Sequence, residues 1–90
     1  MEVITMASTP QWMRWYKIHG HNGNQGPERF PHVHVNVGGE EASVNIDTCQ
    51  YIAGENNIPH NHRQDVLKWV RDNQYELKEE WDSKSNPQGY

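Results

Sequence analysis

Two segments of the chain alternate between apolar and polar residues, which is the pattern of β-strands with one buried face. Residues 30–37 carry three valines separated by histidine and asparagine, and residues 42–47 alternate Ala, Val and Ile with polar side chains. Residues 38–41 (GGEE) lie between them and favour a tight turn. This pattern predicts a β-hairpin with one apolar face and one histidine-bearing polar face.

The pattern of the remaining chain predicts two further strands and a helix. The aromatic segment 12–19 predicts a first strand, and residues 20–29 are rich in glycine and asparagine, which is typical of a loop. A short strand is predicted at 50–53, followed by a turn at 54–57. A helix is predicted from 61 to 81, with Asn61 and Gln64 spaced as a capping box. Its apolar stripe consists of Val66, Val70, Leu77 and Trp81.

These elements predict an α+β fold, in which a three- or four-stranded antiparallel sheet is covered on one face by one long C-terminal helix. A chain of 90 residues corresponds to a single domain. We expect its core to span residues 11–81. Residues 1–10 are expected to be a flexible extension and residues 82–90 a flexible tail.

The length of the hairpin turn sets which polar residues face one another. A four-residue connection pairs His34 with Asn45 and His32 with Asp47. A tighter turn at Gly38 and Gly39 shifts the pairing by two residues. In either register these four side chains lie on one face of the sheet.

Composition and charge narrow the class of protein. Only 33% of residues are hydrophobic, so the core must be thin and must depend on its four Trp and four Tyr. A net charge of −4 without a basic run argues against nucleic acid as a direct partner. The single cysteine, Cys49, excludes an internal disulfide and indicates a reducing compartment. No apolar run is long enough to span a membrane. A cytoplasmic location is therefore expected.

An exposed edge strand of the predicted sheet would make a homodimer possible.

All six histidines occur in His-x-His pairs. On a strand, both members of such a pair point the same way and can reach one ion. His32, His34 and Asp47, joined by His21 or His19 from the preceding loop, could therefore bind one divalent metal such as Zn, Mn or Ni. The alternative is that these imidazoles are solvated side chains on the polar face of a strand.

Four tryptophans offer either core packing or a binding surface. Trp15 and Trp81 are expected in the core. A solvent-facing Trp12 or Trp69 would be a candidate for contact with a protein partner, together with His34.

Three stretches of the chain resemble domain-of-unknown-function family 4160. Residues 31–35 (PHVHV) are similar to the PHxHV signature of that family. Gly39-Glu40 precedes a similar alternating strand, and the helix ends similarly in Leu77 and then Trp81. Members usually carry a histidine in a DHxPPHxHV-like stretch, whereas here the preceding segment is longer and lacks the Asp. The resemblance implies an α+β fold and a gene setting like that of phage or toxin–antitoxin pairs. It implies no established activity.

Three functions remain open from the sequence. The leading hypothesis is a small regulatory module that binds a protein partner through the histidine-rich face of the sheet. The second is a metal-dependent or histidine-based hydrolase or nuclease that uses His32 and His34. The absence of basic residues for a phosphate substrate and the lack of an expected pocket count against it. The third is a structural domain stabilised by a metal.

Overall fold

The computed structural model describes residues 7–18 and 30–85, which form a four-stranded antiparallel sheet and two helices. The strands lie in the sheet in chain order, so each pairs with the next along the sequence. This arrangement confirms the predicted α+β fold. The elements are β1 (Trp15–Lys17), β2 (His32–Val37), β3 (Glu40–Asn45), β4 (Gln50–Ala53), α1 (Arg63–Asp72) and α2 (Gln74–Ser85).

The β2–β3 hairpin uses the tighter of the two turns. Gly38 and Gly39 have φ angles of 64° and 89°, and two consecutive residues at positive φ make the two-residue turn that matches strand twist. The Asn36 side chain accepts a hydrogen bond from the Gly39 backbone N–H at 3.0 Å. His34 is therefore opposite Ser43, and His32 is opposite Asn45.

The first strand is shorter than the predicted segment 12–19. Trp12 lies in a turn before β1, where the Met13 N–H donates to the Pro10 carbonyl at 3.0 Å. His19 and the predicted loop 20–29 lie outside the described residues.

The predicted single helix is divided in two at Asn73. The backbone N–H and the side-chain Nδ2 of this residue both donate to the Trp69 carbonyl, at 3.0 and 2.9 Å. An amide side chain that competes for a backbone carbonyl in this way interrupts regular helical bonding. The predicted capping box at Asn61 and Gln64 is wrong, since α1 begins at Arg63 after His62, which makes no side-chain cap.

The apolar stripe of the helices packs on the apolar face of the sheet, as predicted. Val66, Val70 and Leu77 are fully buried, and Trp81 is almost fully buried. They join one core with the inward side chains of the hairpin, which are Val33, Val35, Val37, Ala42, Val44 and Ile46. Burying these side chains is the main stabilising contribution in a domain of this size.

Two tyrosines connect the sheet to the helices through their hydroxyls. Tyr16 donates to the buried carboxylate of Glu80 at 3.0 Å, and Tyr51 donates to the Arg63 carbonyl at 2.9 Å. Burial, assisted by the negative charge of Glu80, raises the pKa of Tyr16 to about 12. Burial, assisted by Glu55, raises the pKa of Tyr51 to about 12 as well.

These raised pKa values predict a loss of stability at alkaline pH. An unfolded tyrosine loses its proton near pH 10 and the folded ones near pH 12, so the unfolded chain binds fewer protons between these values. The free energy of unfolding should be unaffected by these groups below pH 10 and should fall from pH 10 to pH 12. The slope is at most about 1.4 kcal/mol per pH unit for each tyrosine, and solvent screening reduces it.

Urea denaturation across this pH range measures the slope. The double variant Tyr16→Phe/Tyr51→Phe is the control, because it retains both rings and every lysine but removes the two titrating hydroxyls. A slope equal to that of the wild type would show that these hydroxyls do not cause the alkaline loss.

Candidate functional site on the polar face of the sheet

A row of polar side chains crosses the face of the sheet opposite the valines. Lys17 on β1 is opposite His34 on β2, and His34 is opposite Ser43 on β3. Directly opposed residues of antiparallel strands point to the same face. Beside this row lies a depression of about 310 Å³. Its lining residues are His34, Glu41, Ala42, Ser43, Ala53, Gly54 and Asn57.

Gly54 allows the chain after β4 to approach β3 at this depression. A Cβ atom at Gly54 would lie 2.7 Å from the Glu41 carbonyl oxygen and 2.9 Å from the Ala42 Cα, and its φ is +82°. Asn57 holds the same segment against β3, since its Nδ2 donates a hydrogen bond to the Glu41 carbonyl at 3.3 Å. One wall of the depression is thus built from backbone held close to β3.

The charged group in the depression is the carboxylate of Glu41. Its Oε2 lies 3.5 Å from His34 Nδ1, and about half of the Glu41 side chain is exposed. A carboxylate at this position holds the imidazole in one orientation. With the Ser43 hydroxyl alongside, the site can accept hydrogen bonds from a basic group or hold His34 for proton transfer.

His32 is a packed residue and does not face solvent. Only 4% of its surface is exposed, and its Nδ1 lies 2.7 Å from the Phe30 carbonyl. Because a carbonyl can only accept, Nδ1 carries the proton. The His32 ring lies 5.0 Å from the Trp81 ring and 5.2 Å from the His34 ring, centroid to centroid. His32 therefore connects the C-terminal helix to His34.

The structure brings together two of the four predicted metal ligands, His32 and His34. Asp47 lies in the turn after β3, where its Oδ1 is 3.2 Å from Lys78 Nζ. His21 lies outside the described residues. Within residues 7–18 and 30–85, no three side chains among His, Cys, Asp and Glu are grouped so that they could hold a metal ion.

The tryptophans differ from their predicted placement at two positions. Trp69 is only 7% exposed and donates from Nε1 to the Ser8 carbonyl at 2.8 Å, so the condition of solvent exposure for partner contact is not met there. Trp15, predicted in the core, is 39% exposed. Trp12 is half-buried and stacks on His62 at 5.1 Å. Trp81 lies in the core, as predicted.

Sequence reasoning missed Glu41, Gly54 and Asn57 as parts of the site. The sequence pattern places all three in turns. A signal for Glu41 was present, because a two-residue Gly38–Gly39 turn places it in β3 opposite Asn36, on the histidine face. The contributions of Gly54 and Asn57 depend on how the chain returns after β4, and no local pattern encodes that path.

The sheet order, the two C-terminal helices on its apolar face and the histidines on its polar face define a small α+β domain with a PHVHV strand. The profile of the domain of unknown function DUF4160 matches residues 14–82, and the chain belongs to this family. That match confirms the resemblance drawn from the PHVHV segment. No curated protein and no solved structure matches the chain. Neither helix in the described ranges is long and apolar enough to cross a bilayer.

Proposed function

We propose that this chain is a small regulatory module that binds a basic segment of a partner protein in the depression beside His34 and Glu41. The observation that supports this proposal is the half-exposed carboxylate of Glu41 at a depression that also presents the Ser43 hydroxyl. An arginine or lysine side chain of the partner would donate to these oxygens.

The charge of the whole chain favours the same kind of partner. The net charge is −4, which attracts a positively charged segment and accelerates its association. Lys17 of the polar row is positioned over the Trp15 ring, with its Nζ 6.0 Å from the ring centroid. Family resemblance suggests a phage, mobile-element or toxin–antitoxin-like setting for this role, with the partner encoded nearby.

The proposal predicts that Glu41→Gln weakens binding of an acetylated tripeptide amide with a central arginine. Loss of one solvent-exposed charge contact is worth about 1 kcal/mol, which is roughly a fivefold rise in Kd. Titration of the isotopically labelled full chain, followed by NMR, gives both Kd and the binding position. We expect the amide shifts to concentrate at His34, Ser43, Gly54 and Asn57.

Glu40→Gln is the matched control, because Glu40 is exposed but pairs with Val37 on the other face of the same strand. This variant should bind the arginine peptide as the wild type does. Equal weakening by both variants would show a general effect of net charge and would contradict a site at Glu41. A glutamate-centred peptide that bound equally well would contradict the proposed basic partner.

A histidine-based hydrolase is a second candidate, favoured by the presence of Ser43, His34 and Glu41 in one depression. These residues have the composition of a nucleophile, a base and an orienting carboxylate. The Ser43 hydroxyl would attack an ester carbonyl and pass its proton to His34, which would give it to the departing alcohol as the ester C–O bond breaks. Water would then hydrolyse the acyl group from Ser43. Turnover of a model ester that is lost in Ser43→Ala would favour this candidate over a binding module.

A further inference from the structure

The polar face of the sheet carries an exposed tryptophan. Trp15 on β1 is opposite Asn36 on β2, so its side chain lies on the histidine-bearing face and not on the valine face. With 39% of its surface exposed, Trp15 is the most accessible of the four tryptophans. A single exposed aromatic side chain is ordinary at a protein surface, so its neighbours decide whether it marks a binding site.

The ring of Trp15 already attracts a cation. Lys17, two residues further along β1, has its Nζ 6.0 Å from the ring centroid. This distance is at the outer limit for a cation–π interaction, so the contact is weak. A guanidinium is planar and less strongly hydrated than an ammonium, and it stacks flat on an aromatic ring. We therefore expect an incoming arginine to displace Lys17 from the indole.

Glu41 lies in the same cross-strand row as Trp15. Asn36 separates them, because it is opposite Trp15 on one side and opposite Glu41 on the other. Two strand spacings place the Cα atoms of Trp15 and Glu41 roughly 9–10 Å apart. The Asn36 side chain is short, and its Oδ1 accepts a hydrogen bond from the Gly39 N–H. An aromatic surface and a half-exposed carboxylate thus flank a side chain that is already hydrogen-bonded.

We propose that Trp15 gives the site a preference for arginine over lysine in the basic segment of the partner protein. The guanidinium stacks on Trp15 while its N–H groups donate to the Glu41 carboxylate, whereas an ammonium has no plane with which to stack. This inference rests on the proposed function, because it concerns the same carboxylate. It extends the contact with the partner from the depression, which lies on the β4 side of Glu41, to the β1 side of the sheet.

The experiment compares two acetylated tripeptide amides that differ only in a central arginine or a central lysine. Titration of the full chain, followed by NMR, gives the Kd of each peptide. We expect the wild type to bind the arginine peptide roughly two- to fivefold more tightly, the range for an exposed cation–aromatic contact. The arginine peptide should also shift the indole N–H signal of Trp15 more than the lysine peptide does. Trp15→Leu should remove the preference without abolishing the binding of either peptide.

Tyr75→Leu is the matched control, because it removes an aromatic residue that is 71% exposed on α2, and it should retain the arginine preference. Trp15→Tyr keeps an aromatic ring and should retain part of the preference. Equal Kd values for the two peptides in the wild type, with both weakened by Glu41→Gln, would overturn this inference and leave the proposed function intact. Peptide binding that does not respond to Glu41→Gln would overturn both.

Discussion

Replacing Gly54 with alanine is expected to lower the free energy of unfolding by about 3 kcal/mol. The new Cβ would lie 2.7 Å from the Glu41 carbonyl oxygen and 2.9 Å from the Ala42 Cα, and neither backbone atom can move without disturbing β3. The left-handed φ of +82° adds strain for any residue with a side chain. For a domain of this size the melting temperature should fall by roughly 12–24 °C.

Gly38→Ala provides the control for this prediction. Gly38 also has a left-handed φ, of +64°, but a Cβ there would meet no atom within 4 Å. Gly38→Ala should therefore lower the free energy of unfolding only through the strain of the left-handed backbone, by about 1 kcal/mol. Thermal and urea denaturation of both variants separate the clash with β3 from the strain of the left-handed backbone. Equal losses would mean that the clash with β3 contributes nothing and that strand β3 can yield at this point.

Replacing Trp81 with alanine is expected to lower the free energy of unfolding by about 4 kcal/mol, the range for truncating a buried aromatic. Trp81 is buried in the core, and its ring lies 5.0 Å from the His32 ring. The vacated space also frees His32, so we expect changed ring signals from both His32 and His34. Urea denaturation gives the energy, and NMR of the imidazole protons reports on the histidine pair.

Two further substitutions define the origin of this effect. Trp81→Phe keeps an aromatic ring in the core, so it should lower the free energy of unfolding by less than half as much as Trp81→Ala does. Tyr75→Ala truncates an aromatic residue of the same helix that is 71% exposed, and it should change stability little. If Trp81→Ala left the His32 signals unchanged, the proposed link from the helix to the histidine pair would be wrong.

The strands were predictable because alternation along the chain reports directly which side chains are buried. The segment 50–53 was predicted as a strand and forms β4 over those same residues. The hairpin valines occupy the core face, as their period-two spacing requires. The end of strand β3 was less predictable, since Asn45 Oδ1 accepts from the Asp47 and Thr48 N–H groups and turns the chain early. Asp47 thereby leaves the sheet, and Lys78 binds it.

The division of the helix had only a faint signal in the sequence. Gln74 interrupts the apolar stripe, and the structure gives the reason. Its Nε2 donates to the Ile46 carbonyl at 2.8 Å and to the Asp47 carbonyl at 3.2 Å. A polar residue on a buried stripe indicates a buried acceptor, but the identity of the acceptor depends on tertiary packing.

The site itself was predictable only in part. The PHVHV segment correctly placed His32 and His34 on one face, yet periodicity cannot tell that Trp81 would cover His32 while His34 stays beside Glu41. That difference depends on tertiary packing, which places the Trp81 ring 5.0 Å from the His32 ring and the Glu41 carboxylate 3.5 Å from His34. The exposure of the tryptophans was equally hard to predict. Trp15 is partly exposed and Trp69 is buried, and the residues next to them in the sequence do not encode this difference.

The order of strands along the sheet has a consequence for how the protein is made. Each strand pairs with the one synthesised just before it, so the growing chain can extend the sheet one strand at a time. The helices that cover the apolar face come last, in residues 63–85. When β4 has emerged from the ribosome but α1 has not, the nascent chain can form the four-stranded sheet. The valines on the apolar face of that sheet are still uncovered. Chaperones bind exposed apolar surface, so we expect them to bind the nascent chain at this stage. A pause in translation between β4 and α1 would prolong the exposure of the valines.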